Sequence, residues 1–367
     1  MSAEPLTDKP VEPVASAERI ESAGAVEPRR RQVEAAATRR SGGGWRRAPG
    51  LRVAGWWALA AAAATAYVLW GLDLRAIDQT TLEFILPRRL TTLATMTVVG
   101  VGVALATVLF HTVTANRILT PSIMGFDALY LLVQTGTVVL LGVTGSLTLD
   151  PVSSFAWQAT AMTLLAVALY RWLLVGLGRS LHMVVLVGVV IGGFFRALST
   201  LMQRAMDPTE FIVLQDRFFA DFHGADLRLV GVTAVIVALA AAWTIWRAGR
   251  LDVLALGRDI AVSLGLDHRR GQLAVLALVA LLVAAATALV GPTSFFGLLV
   301  AHLAYQTVGT HRHAHVVPAA CGAAVVTLVG GQLVLEKALG LEGSLSLVVE
   351  LLGGVTFLVL LLRRARA

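Results

Sequence analysis

Charge is scarce in this chain, lysine is almost absent and cysteine occurs once. Only 14% of the 367 residues are Asp, Glu, Lys or Arg, against about 25% in an ordinary soluble domain, which excludes a soluble globular protein. The two lysines, Lys9 and Lys337, follow Asp and Glu. With no Gly-Lys pair there is no phosphate-binding loop, so the chain has no ATPase site of that type. The lone Cys321 lies inside an apolar run, where no intramolecular disulfide can form and a small packed side chain is expected. No grouping of His, Ser, Cys and carboxylates has a catalytic spacing, so no enzyme activity, cofactor or resident metal is expected.

What the chain has in abundance is apolar length. It is 57% hydrophobic, with mean hydropathy +0.76. Runs near 54–70, 90–111, 125–142, 155–175, 181–203, 229–247, 272–290, 294–308, 316–334 and 346–362 approach the roughly 20 residues needed to cross a bilayer, the eighth being short. None alternates with period two, so the spans are helices rather than barrel strands. The fold class is therefore all-α, a polytopic membrane protein of about ten transmembrane helices. An even number puts both termini on one side. Lys and Arg gather on that side even when the tail is left out, so both termini are expected to be cytoplasmic, in a plasma or inner membrane. The net charge of +7 then reflects topology, and no nucleic acid partner is implied.

Residues 1–52, rich in Ala, Glu, Pro and Arg, read as a disordered basic cytoplasmic tail before a membrane domain at 53–367. An outer amphipathic helix is expected at about 208–222, where Phe211, Leu214, Phe218, Phe219 and Phe222 recur at helical spacing, as a cap or an outer gate. Between spans six and seven lies a polar island, about 248–271. It reads as two short helical pieces broken at Gly257 and Gly265, on the cytoplasmic side and patterned like a docking surface.

Three smaller patterns stand out. Gly188 and Gly192, four apart, suit close helix packing. Arg196, Thr200, Gln203 and Arg204 share one helical face and point to a wet path or a partner subunit. His311, His313 and His315 alternate in a short turn with no thiolate or carboxylate nearby, which reads as a solvated basic loop rather than a metal site. Asp127 and Glu350 look isolated and close to span ends.

Glu83–Leu90, Thr114–Gly125, Leu256–Gly265 and Gly291–Ala304 together resemble the permeases of binding-protein-dependent ABC importers for iron-siderophore complexes and vitamin B12. The likeness runs from about residue 80 to the C-terminus. It implies the vitamin B12 importer-like permease fold, a cytoplasmic ATPase dimer, a second permease subunit and an extracytoplasmic binding protein, with a ferric siderophore as cargo. It also implies that Leu256, Gly257, Arg258, Asp259, Leu264 and Gly265 couple to the ATPase, and that Arg88 and Arg89 dock the binding protein unless they merely snorkel. The stretch from Asn116 to Gly125 looks closer to permeases that pair with a paralogue than with themselves. Alternatives are a heme or corrinoid importer and, from another class, a secondary transporter, which would need an intramembrane acid or histidine relay.

Overall fold

Runs of Leu, Val and Ala close their backbone hydrogen bonds within helices, and the computed structural model, which describes residues 49–70, 79, 81–176, 181–338 and 345–365, is helical wherever those runs occur. The helices are α1 Pro49–Leu69, α2 Leu86–Thr114, α3 Phe126–Thr148, α4 Pro151–Gly176, α5 Leu181–Gln203, α6 Pro208–Asp216, α7 Leu227–Trp246, α8 Ala248–Leu254, α9 Arg258–Ser263, α10 His268–Val290, α11 Phe296–Val308, α12 His313–Leu333 and α13 Leu345–Ala365. Among the described residues seven are long and apolar enough to cross a membrane alone, and three shorter apolar stretches, Phe126–Gly142, Phe296–Val308 and Val348–Leu358, stand beside them.

α2, α10 and α12 form the centre, with 72%, 61% and 67% of their apolar stretches inside the protein, against 11% for α1 and 17% for α5. Small residues allow this. Ala319, Ala320, Ala323 and Ala324 of α12 are fully buried, and a side chain at Gly322 would come within 2.9 Å of Trp56 of α1, so the backbones pack closely where dispersion and shape must supply the attraction. Polar bonds pin the junctions. Arg52 donates to the carbonyls of Thr307 and Val308 at 2.9 and 3.0 Å, placing a cation on the negative end of α11. Between α3 and α4, Gln134 donates to Gln158 at 3.0 Å and Gln158 to Ser154 at 3.0 Å.

Two sequence boundaries shift. α1 begins at Pro49, so Arg52 belongs to the helix and not to the tail; residues 1–48 lie outside the described residues. The outer helix ends at Asp216 rather than near 222. Beyond it the Asp221 amide donates to the Val290 carbonyl at 2.8 Å and the Arg217 carbonyl accepts from the Tyr130 hydroxyl at 3.2 Å, which draws the backbone out of the helical path. Leu214 and Phe222 are buried beneath this cap. The His223 side chain holds the Asp221 carboxyl below its usual range. That contact therefore contributes from the ordinary carboxylate range upward and is lost only as pH falls through the lowered value.

α3 and α11 begin part-way through the bundle. Gly125, at φ +100° before α3, lies so close to Gly192, midway along α5, that a side chain there would sit 2.8 Å from the Gly192 Cα. This identifies the partner of the Gly188 and Gly192 pair. Phe295, preceding α11, meets Gly353, midway along α13, with equal intimacy. Ser294 donates to Asp127 at 2.6 Å and ties the two starts together. Asp127, in the first turn of α3, is therefore close to a span end as the sequence suggests, yet it is buried and not isolated, because that end lies in the middle of the bundle.

Candidate coupling site

The island folds as two short helices, α8 and α9, with glycine at each break. Gly257 has φ +96° and ψ +174°, a backbone region open essentially to glycine alone. Gly265 has φ +80°. Its amide donates to the Val262 carbonyl at 2.9 Å and the next amide, Leu266, to Ala261 at 2.9 Å. That pair of bonds is the Schellman closure that ends a helix on a left-handed residue. Neither glycine has a neighbour within 4 Å of where a Cβ would stand, so conformation, not space, demands glycine at both positions.

One face of this unit is held and the other is free. Ala261 is buried, whereas Leu256 (56% exposed), Ile260 (47%), Val262 (56%) and Leu264 (60%) carry their apolar surface outward between exposed Arg258 and Asp259. Such a patch on a polar segment is the mark of an interaction site. Ile260 and Val262 belong to it although the sequence reading did not single them out; their two-residue spacing hides them from a helical pattern.

Asp252 anchors the held face. Its carboxylate accepts from the His313 backbone amide at 2.9 Å and pairs with the His313 ring at Nδ1. The other ring nitrogen lies 2.6 Å from the Thr112 hydroxyl of α2. A continuous polar chain thus runs from the island through the first turn of α12 to the end of α2. His313 is buried at 6% exposure, which corrects the reading of residues 311–315 as a solvated loop remote from carboxylates. His311 is also engaged, accepting from Arg117 at 3.1 Å, while Arg117 stacks 4.6 Å over the Tyr305 ring. Among the described residues no group of three metal-binding side chains occurs.

The other sequence-derived positions fall elsewhere. At the opposite end of the bundle Arg88 is exposed, but Arg89 donates to the Val68 and Trp70 carbonyls at 2.8 Å each and caps α1. On α5, Arg196, Thr200 and Arg204 are exposed on a helix that the rest of the chain hardly covers. Gln203 turns to α3, donating to Thr135 at 3.2 Å. Helical spacing gave the shared face correctly, but it cannot show which member of a face finds a partner.

Comparison with known proteins adds three findings. Residues 53–363 match the FecCD transport family. The petrobactin import system permease protein YclO of Bacillus subtilis is 38% identical over 286 residues, covering 78% of this chain and 90% of that protein, and the corresponding protein FatC of Bacillus anthracis is 33% identical, covering 78% and 81%. A solved inward-facing structure of a metal-chelate type ABC transporter superimposes with TM-score 0.73 at 21% identity, covering 86% of this chain and 99% of the other, which shows a shared fold.

Proposed function

Because the chain belongs to the FecCD transport family, we propose that it is the membrane-spanning permease of an ATP-driven importer for ferric siderophore complexes, with petrobactin, the cargo in the names of two relatives, as the first candidate. The 38% identity to a petrobactin permease over 90% of its length carries this reading. The secondary-transporter alternative is set aside with the family assignment.

In this reading the termini and the island are cytoplasmic, and the exposed Leu256, Ile260, Val262 and Leu264 seat on an ATPase dimer. Arg88 faces the binding protein, while Arg89 acts on it only by holding α1. The sparsely covered α5 and α13 meet a second permease subunit, a paralogue of this chain, and the cargo passes between them. Co-purification with the ATPase, the paralogue and the binding protein, followed by ATPase assays with a panel of cargoes, tests the whole reading. Ferric siderophore on the binding protein should stimulate hydrolysis. Stimulation by heme or a corrinoid alone, or uptake that needs no ATPase, would overturn it.

The path assignment has its own test. Arg196 is an exposed cation one turn beyond Gly192, which packs on Gly125 in the bundle's middle, and a charge in a low-dielectric route acts strongly on a passing ion. Arg196→Ala should slow uptake of an anionic ferric complex severalfold more than that of a neutral one, with assembly retained. Equal slowing of the two would assign Arg196 to packing.

A further inference from the structure

Where α7 ends and α10 begins, the island folds over a partly open cavity of about 300 Å³. Its floor is apolar, with Leu254 and Leu266, and its rim carries Arg247, Arg250 and Arg270 beside Trp243. The charges are unbalanced. Asp267, the acid of the lining, is engaged by Arg270 at 3.0 Å and caps the start of α10. Among the described residues no carboxylate stands within ion-pairing distance of Arg247 or Arg250, and the Arg247 Nε is buried without a hydrogen-bond partner. The Arg247 guanidinium sits 5.5 Å from the Trp243 ring and 5.0 Å from the Trp246 ring.

An apolar floor beneath surplus arginine, at the end of a membrane span, selects an amphiphile with an anionic head. A soluble anion would gain nothing from Leu254 and Leu266. The ATPase is the competing occupant, but its apolar landing face lies on α9, and no residue of α9 lines this cavity. Ile245 and Trp246, 58% and 76% exposed, flank it instead, and exposed tryptophan at a span end marks headgroup depth. We propose that this groove holds an anionic phospholipid of the leaflet on the island's side, its headgroup on Arg247, Arg250 and Arg270 and its upper acyl carbons on the leucine floor. Bound there, the lipid joins α7, α8 and α10 and becomes part of the support under the coupling helices. Basic pockets between helices at this level suit such headgroups.

Native mass spectrometry of the assembled transporter, ATPase included, tests this with phosphatidylglycerol, phosphatidylcholine and glycerol phosphate as probes. Phosphatidylglycerol should be retained over phosphatidylcholine, and glycerol phosphate should not displace it. Each arginine near a membrane surface contributes about fivefold in affinity, so Arg247→Gln combined with Arg250→Gln should weaken retention roughly 25-fold. Arg269→Gln, outside the lining, should leave it unchanged. A second measurement uses brominated lipids with the wild type: phosphatidylglycerol should quench tryptophan fluorescence more than phosphatidylcholine, and Trp243→Phe should shrink that difference. Undiminished retention in the double variant, displacement by glycerol phosphate, or retention only after the ATPase is removed would each overturn the proposal. The last result would assign the groove to the ATPase.

Discussion

Gly265→Val is expected to cut ATP-driven chelate uptake at least tenfold while the permease still inserts and assembles. At φ +80° a valine meets no neighbour, since nothing stands within 4 Å of its Cβ, but its branched side chain collides with its own backbone. The left-handed conformation costs an ordinary residue roughly 1–2 kcal/mol and a β-branched one more. α9 has six residues, far too few to hold a helix by propensity. Its end depends on the two amide bonds that Gly265 and Leu266 return to Val262 and Ala261. Once they are lost, the outward apolar face has no fixed shape to offer the ATPase. Asn tolerates left-handed geometry, so Gly265→Asn should restore most uptake. Membrane levels by immunoblot and uptake of the ferric chelate are the measurements, and normal uptake by a stably expressed valine variant would exclude a coupling role for this turn.

Asp252→Ala should be comparably damaging for a different reason. It strips the buried His313 ring of its Nδ1 partner and leaves the first amide of α12 without its acceptor. Leaving a buried hydrogen-bonding group without its partner costs about 1–3 kcal/mol, and the 33% exposure of Asp252 lets water replace part of what is lost. Thermal unfolding of the purified transporter should move to lower temperature, and the ATP hydrolysed per chelate transported should rise severalfold because α8 is no longer tied to α12 and α2. Asp252→Asn keeps an oxygen for both bonds and should lose less on each readout. A variant that unfolds earlier but transports at the normal ATP ratio would reduce the Asp252, His313 and Thr112 chain to a stabilising contact.

Much of this architecture was legible in the sequence because it rests on local rules. Apolar runs of bilayer length yield helices whatever they pack against, and Gly257 and Gly265 punctuate the island because left-handed turns must be made somewhere in so short a segment. What escaped depends on partners far along the chain. His313 is 61 residues from Asp252 and 201 from Thr112, so a turn with three histidines looked merely solvated. Arg89 resembled its neighbour Arg88 until the end of α1 came within reach of it. The outer helix kept a helical recurrence of phenylalanine past Asp216, yet a tertiary bond to Val290 outcompeted its own ladder. Periodicity reports a face, whereas long-range hydrogen bonds decide where the face stops.

The part-way starts of α3 and α11 bear on how such a bundle can move. Full-length rods packed through Ala and Gly must tilt from end to end, because a shift at one mouth is passed rigidly to the other. Here non-helical backbone reaches the midpoints of α5 and α13 at Gly125 and Phe295, and the bond from Ser294 to Asp127 links those two places. Neither α3 nor α11 carries a helix past that level, so the bundle is not built of full-length rods there, and a tilt at one mouth is not obliged to pass through those two elements to the other.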